Sequence, residues 1–448
     1  MLESLFSFLG AFEDFLWGYL GAPAIILLGI LLSIQSRCFQ IRKFPAVVYQ
    51  FFRYFSFHKT EGSTGVHPLK VFFACIGGCV GIGNIVGVCT AIQVGGPGAL
   101  LWIWITAIVG GIVKYAEVCL GVRHRIVNEE GGYSGGPMYY LQHIKSVKWL
   151  PAVVCVLLCI YGVEVYQFSV ITESLSSNLH VNKLAIAVGL LAIVLFVGNG
   201  GVQRVGNISS AIIPVFFVLY TGMGTWVIIQ HYASIPSLLK EVLISAFQGK
   251  SAVGGFLGST IILTMSQGVR RGCYSSDIGV GYASTIHSES AEKSASIQAS
   301  LVFFDIFLDT FVFCTMSVML ILLSGIWQEP MEAGMLVQSV LIQHFPFMNV
   351  FMPLFLTILG YSTLNAYFCV GVKCAEYLSK KRGRVCFNLY AATALLLSVF
   401  VDTTQAQTIM QIAGGLLLMI NCWGIYRLRQ DVSYAFGASH QLVQEQAY

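Results

Sequence analysis

The stretch F-F-A-C-I-G-G-C-V-G-I-G-N-I-V-G-V, residues 72–88, lies in an apolar segment long enough to cross a bilayer. It cannot be one straight helix. Gly77, Gly78, Gly81, Gly83 and Gly87 crowd into little more than three turns, and each glycine inside a helix costs up to about 1 kcal/mol. Gly77 and Gly81 form a G-x-x-x-G pair, which accounts for one packing face. Glycines spread around the whole turn need another reason. Unwound backbone at membrane depth exposes N–H and C=O groups that something must satisfy. The N-terminus of a half-helix suits a carboxylate, and free carbonyls suit a hard monovalent cation. A zwitterion travelling with such a cation satisfies both.

The rest of the chain supports a membrane setting. Of 448 residues, 56% are hydrophobic and only 10% charged, against about 25% charged in soluble domains. With a mean hydropathy of +0.75, a soluble globular enzyme is excluded. The net charge of +4 gives no reason to expect nucleic acid. Apolar runs predict about eleven spans, at 17–36, 68–94, 97–121, 150–177, 183–199, 208–230, 254–276, 299–324, 348–374, 387–402 and 405–427. Glu3, Glu13 and Asp14 precede the first where a signal peptide would carry basic residues, so that span is retained. Eight of the thirteen cysteines, including Cys75, Cys79 and Cys314, lie in apolar segments without C-x-x-C spacing and read as packing residues.

Lys and Arg cluster after the first span (Arg37, Arg42, Lys43, Arg53, Lys59), the third (Arg123, Arg125, Lys145, Lys148) and the ninth (Lys373, Lys380, Lys381, Arg382, Arg384). Most alternate loops are poor in them; Lys240 and Lys250 are the exception. The positive-inside rule then places the N-terminus outside and the C-terminus in the cytoplasm of a bacterial inner membrane.

A milder interruption, Ser266-Gln267-Gly268, falls in the seventh span, followed by Arg270 and Arg271 at a depth where charge is expensive. After the first span the chain divides into two sets of five, each opening on an interrupted helix. One set starts inside and the other outside. Inverted repeats with matched broken helices point to a midplane binding site in a secondary transporter. The expected organisation is residues 1–67 as an N-terminal helix and cytoplasmic loop, 68–253 and 254–427 as the two repeats, and 428–448 as a tail.

With these motifs in view the chain resembles the alanine or glycine:cation symporter family of amino acid transporters, from about residue 20 to 425. The resemblance rests on G-I-G-N-I-V-G-V (81–88), G-G-P-G-A (95–99), K-Y-A-E (114–117), G-G-P-M-Y-Y (135–140), G-V-R-R-G-C-Y-S-S-D-I-G (268–279), F-L-D-T (307–310) and I-L-G-Y-S (358–362), in that order. It implies an all-α bundle with a five-plus-five inverted repeat, importing alanine or glycine with Na⁺ and needing no resident cofactor. By the same resemblance the N–H groups of Ile82 and Gly83 face the substrate carboxylate, with Asn84 beside it. Gln167, Ser266, Gln267, Gly268 and Tyr361 complete the substrate site. The carbonyls of Gly77 and Val80 and the Thr357 hydroxyl face the cation. Leu356 precedes Thr357, so the usual pair of adjacent hydroxyls is reduced to one.

Four charged residues, Lys114 with Glu117 and Arg271 with Asp309, read as structural ion pairs, the first at i, i+3 on one face. Asp305, one turn from Asp309, is a candidate to join the second pair. Glu164, one turn before Gln167, is a carboxylate inside the membrane and a candidate for proton coupling, which keeps H⁺ open beside Na⁺. A polytopic membrane enzyme remains the alternative class. Its nearest candidate residues, His287-Ser288-Glu289-Ser290, lack a nucleophile motif or a metal set.

Overall fold

The computed structural model describes residues 2–56, 64–128, 131–248 and 261–436. Lys59, Lys250 and the expected start of the seventh span at 254–260 lie outside the described residues.

Each expected span coincides with a helix. Seven are long and apolar enough to cross a membrane outright, among them Ala99–Arg123, Gly201–Gln230 and the 31-residue Met348–Leu378. The second span is the bent pair Pro68–Cys79 and Ile82–Gly95, with 55° between its halves. The fifth is the shorter Lys183–Gly198, and the tenth is Gly383–Ser398. Among the described residues the β structure is one hairpin, Ile126–Val127 against Tyr133–Ser134, and a lone bridge.

The packing follows the repeat. The third, seventh and eighth spans pack on one another, with the second against the seventh and eighth. The fourth, fifth, ninth and tenth form another group around Met348–Leu378. Thus the first two members of each five associate, as do the next two. The sixth span lies along the first half of the second, and the eleventh along the fourth.

The second break is not where the sequence suggested. Ser266, Gln267 and Gly268 lie inside the unbroken helix Ile261–Ser275. Gly268 is there for close packing, since a Cβ would strike Trp102 and the Ala99 carbonyl of the third span. The seventh span instead ends at Ser275 and resumes as Tyr282–His287. Between them Asp277, Gly279 and Gly281 take left-handed backbone, with φ of 49°, 75° and 98°, a conformation glycine adopts without steric cost. Two further irregularities were not read from sequence. Glu164 kinks the fourth span with φ 52°, and Phe307–Cys314 of the eighth is a π-helical turn that contains Asp309.

Candidate functional site

At the first break, two N–H groups leave the helical ladder. The last helical bond runs from Val80 N–H to the Ile76 carbonyl, at 2.7 Å. The next donor, Gly81 N–H, turns to Asn84 Oδ1 at 3.0 Å. Ile82 N–H donates to Gln167 Oε1 at 3.1 Å. The carbonyls of Gly77 and Gly78 therefore lose their i+4 partners. Thr363 of the ninth span donates to the Gly77 carbonyl at 3.3 Å. Beside it Ser362 Oγ lies 2.9 Å from Ser209 Oγ of the sixth span. Gly81 has no room for a side chain: a Cβ would sit 2.5 Å from Thr363 Oγ1 and 3.0 Å from Gln167 Nε2.

Two adjacent hydroxyls thus face the broken helix, and they are Ser362 and Thr363. Thr357 is not one of them. It is half-exposed and donates to the Pro353 carbonyl of its own helix at 2.6 Å. Tyr361 is half-buried on the same helix, one residue before the hydroxyl pair. Thr357 lies six residues before Thr363 on that helix.

The buried carboxylates hold the two breaks together. Asn84 donates to Asp309 across a short hydrogen bond. Asp309 also accepts from Ser276 Oγ at 2.5 Å and from Ser275 Oγ at 3.3 Å, at the edge of the second break. One carboxylate on a π-turn therefore ties both interrupted helices to the eighth span, the position in which such turns recur at functional sites. Asp277, in the second break, accepts from the Tyr367 hydroxyl and from Cys79 Sγ, the latter at 3.3 Å.

The expected ion pairs are rearranged. Lys114 does not pair with Glu117: its ammonium lies 2.6 Å from Asp305, both side chains wholly buried, and donates to Cys79 Sγ at 3.4 Å. Cys75, Cys79 and Asp305 cluster closely enough to suggest a metal set, but the Lys114 ammonium already supplies the positive charge there. Glu117 instead accepts from Ser284 N–H at 3.3 Å, capping the start of Tyr282–His287. The i, i+3 spacing fails because each residue finds a buried partner on another helix.

Arg271 does not pair with Asp309, whose oxygens are taken by Asn84 and the serines. Its guanidinium lies 5.0 Å over the Tyr274 ring instead. The neighbouring Arg270 is neutralised by Glu13, and by Asp14 at 3.3 Å, both from the helix Leu2–Phe15 that leads into the first span. Gln267, one turn before Arg271, lines a cleft of about 160 Å³ with Arg270, Arg271, Gly87, Thr90 and Gln411. Glu164 is 1% exposed, and its Oε2 has no hydrogen-bond partner among the described residues.

Sequence reasoning therefore found Gly77, Gly81, Ile82, Asn84 and Gln167 at the break. It missed Ser209, Ser362, Thr363, Asp277 and Tyr367. The Ser-Thr pair at 362–363 was the one legible signal, its serine closing the quoted stretch I-L-G-Y-S.

The fold has a solved counterpart: the crystal structure of MhsT in complex with L-phenylalanine superposes with a TM-score of 0.53 at 12% identity, covering 80% of this chain and 88% of that one. Among curated proteins, the amino-acid carrier protein AlsT of Bacillus subtilis is 29% identical over 97% of this chain and 92% of its own length. The sodium/alanine symporter AgcS of Methanococcus maripaludis is 28% identical over 92% of this chain and 94% of its own. Residues 2–444 match the sodium:alanine symporter family. A broken second helix facing paired hydroxyls, a second break joined to it through Asp309, and this full-length match lead to one conclusion: the chain belongs to the sodium:alanine symporter family.

Proposed function

We propose that this secondary active symporter imports small neutral amino acids, alanine and glycine first, with Na⁺. Its N-terminus lies outside and its C-terminus in the cytoplasm. One observation carries the cation reading. The Gly77 carbonyl has lost its helical donor and meets the Thr363 hydroxyl at 3.3 Å, with Ser362 beside it. Carbonyls freed by a broken helix, together with hydroxyls from a facing helix, are the oxygen donors a hard monovalent cation takes. The Val80 carbonyl, at the end of the same half-helix, completes the set we assign to Na⁺.

Alternating access then has a physical basis. The two half-helix junctions are bolted through Asn84, Asp309 and Ser276, so the second, seventh and eighth spans rock as one body. The ninth span, carrying Ser362 and Thr363, belongs to the other group. A cation between the Gly77 carbonyl and these hydroxyls would bridge the two bodies and favour one arrangement over the other.

A second reading rests on Glu164. A carboxylate at a kink inside the membrane, with one oxygen unpartnered among the described residues, has the setting of a proton carrier. Uptake of radiolabelled alanine into proteoliposomes, under Na⁺ and pH gradients imposed separately, discriminates the two. We expect the Na⁺ gradient alone to drive accumulation and Glu164→Gln to preserve it. Uptake driven by a pH gradient alone, and lost in Glu164→Gln, would instead establish proton symport.

Substrate size follows from the tight approach of Gln167, Ile82 and Thr363 at the break. Glycine should compete with labelled alanine and leucine should not. Because excluding one methylene is worth only about 1–3 kcal/mol, serine should compete partially. Strong inhibition by leucine or phenylalanine with none by glycine would refute the small-substrate assignment.

A further inference from the structure

Arg271 is 2% exposed, and among the described residues none of its three side-chain nitrogens has a hydrogen-bond partner. A guanidinium cannot shed its proton at any accessible pH. An unpaired charge held inside a membrane bundle is costly, so a structure that retains one has a use for it. The Tyr274 hydroxyl, on the ring beneath the guanidinium, is also buried without a partner among the described residues. Glu164 is the carboxyl of the neighbouring fourth span that feels the guanidinium, yet no hydrogen bond joins the two. Cys89, Cys314 and Tyr166 are further titratable neighbours. Glu13 and Asp14 also line the cleft beside Arg271, but both are engaged by Arg270, which leaves the Arg271 guanidinium without a partner among the described residues.

Space has been kept for that guanidinium. A Cβ on Gly83 or Gly87 would collide with it, so two glycines of the broken helix serve as its cradle. This accounts for glycines on a face that helix packing alone left unexplained. Arg271 also borders the 160 Å³ cleft, with Gln267 one turn away. That volume is well above the roughly 10–15 Å³ that a single water needs.

We propose that Arg271 binds the carboxylate of the transported amino acid, its guanidinium and the Tyr274 hydroxyl donating beside Gly83 and Gly87. The assignment rests on the amino acid symport reading above. It moves the carboxylate away from the Ile82 N–H, which Gln167 already engages. The α-carboxylate is the favoured source because the cradle lies within the first break. A side-chain carboxylate offers the same chemistry, and the test separates them.

Full-length purified protein in Na⁺ is titrated calorimetrically with L-alanine, L-alaninamide and L-glutamate. Wild type should bind alanine and reject alaninamide. Arg271→Gln should bind alanine at least about thirtyfold more weakly, as expected when one partner of a buried charge pair is removed. Arg271→Lys keeps the charge without the planar fork and should fall between. Gly87→Ala, which crowds the guanidinium without removing it, should weaken binding in the same direction. A loss confined to glutamate would place the side-chain carboxylate on Arg271 and retain its role as a carboxylate anchor.

Thermal unfolding supplies a readout that a structural ion pair would move differently. Lacking a partner to orphan, Arg271→Gln should melt no lower than ligand-free wild type, and alanine should no longer raise its melting temperature. Wild-type affinity of Arg271→Gln for every ligand, or a variant that fails to fold, overturns the inference. Wild-type protein that binds no amino acid overturns the transport reading itself, and the inference with it.

Discussion

Replacing Lys114 with methionine should destabilise the folded protein by about 3–5 kcal/mol, the cost of leaving one member of a buried ion pair alone. Its partner Asp305 is wholly buried at 2.6 Å, and the second carboxylate oxygen of Asp305 has no hydrogen bond among the described residues to fall back on. The stranded carboxylate would lie between Cys75 and Cys79 in the last turn before the first break. Thermal unfolding of detergent-purified protein, read by size-exclusion and intrinsic fluorescence, should show a large drop or no monodisperse material at all. The double variant Lys114→Met, Asp305→Leu should recover much of the loss, since an apolar pair of similar volume often replaces a buried ion pair at little cost. Glu117→Gln should be far milder, because Ser284 N–H can donate to an amide oxygen as well as to a carboxylate. Equal damage from Glu117→Gln would revive the pairing expected from i, i+3 spacing.

Thr363→Ala should sharply reduce Na⁺-driven alanine uptake, whereas Thr357→Ala should leave it unchanged. The first removes the hydroxyl that meets the Gly77 carbonyl. The second removes one that bonds only within its own helix turn. Losing one oxygen from a monovalent cation site should raise the half-saturating Na⁺ concentration at least tenfold, or about 1.4 kcal/mol. Thr363→Ser keeps the oxygen and should retain most of the activity. Transport that survives Thr363→Ala at wild-type Na⁺ dependence, but fails in Thr357→Ala, would return the cation site to the register expected from sequence.

The contrast between these threonines shows where one-dimensional reading stops. Ser362 closes a motif already singled out and Thr363 follows it, yet nothing in the string says that they lie level with Gly77. The ninth span is a continuous 31-residue helix. A six-residue offset along it amounts to roughly 9 Å at 1.5 Å per residue. That offset depends on how the ninth span slides against the second, and so on side chains far from both. Gly268 makes the same point. Glycine in a membrane helix serves either a break or a close crossing, and only the position of Trp102 shows that here it is a crossing.

What the sequence determined by itself was therefore local in origin. Hydropathy set the spans, and five glycines between Gly77 and Gly87 made a straight second helix untenable. The order of motifs pointed to the family that the full-length match then established. Tertiary structure decided everything that depends on which helix meets which. It moved the second break to Ser276–Gly281, gave Lys114 to Asp305, and placed Asp309 between Asn84 and Ser276. It also left Arg271 without a partner against the glycines of the first break. For Lys114 and Asp309 the physical reason is the same. A buried charge or hydroxyl is satisfied by the nearest group in space, and in an eleven-span bundle that group usually comes from a helix far away in the chain.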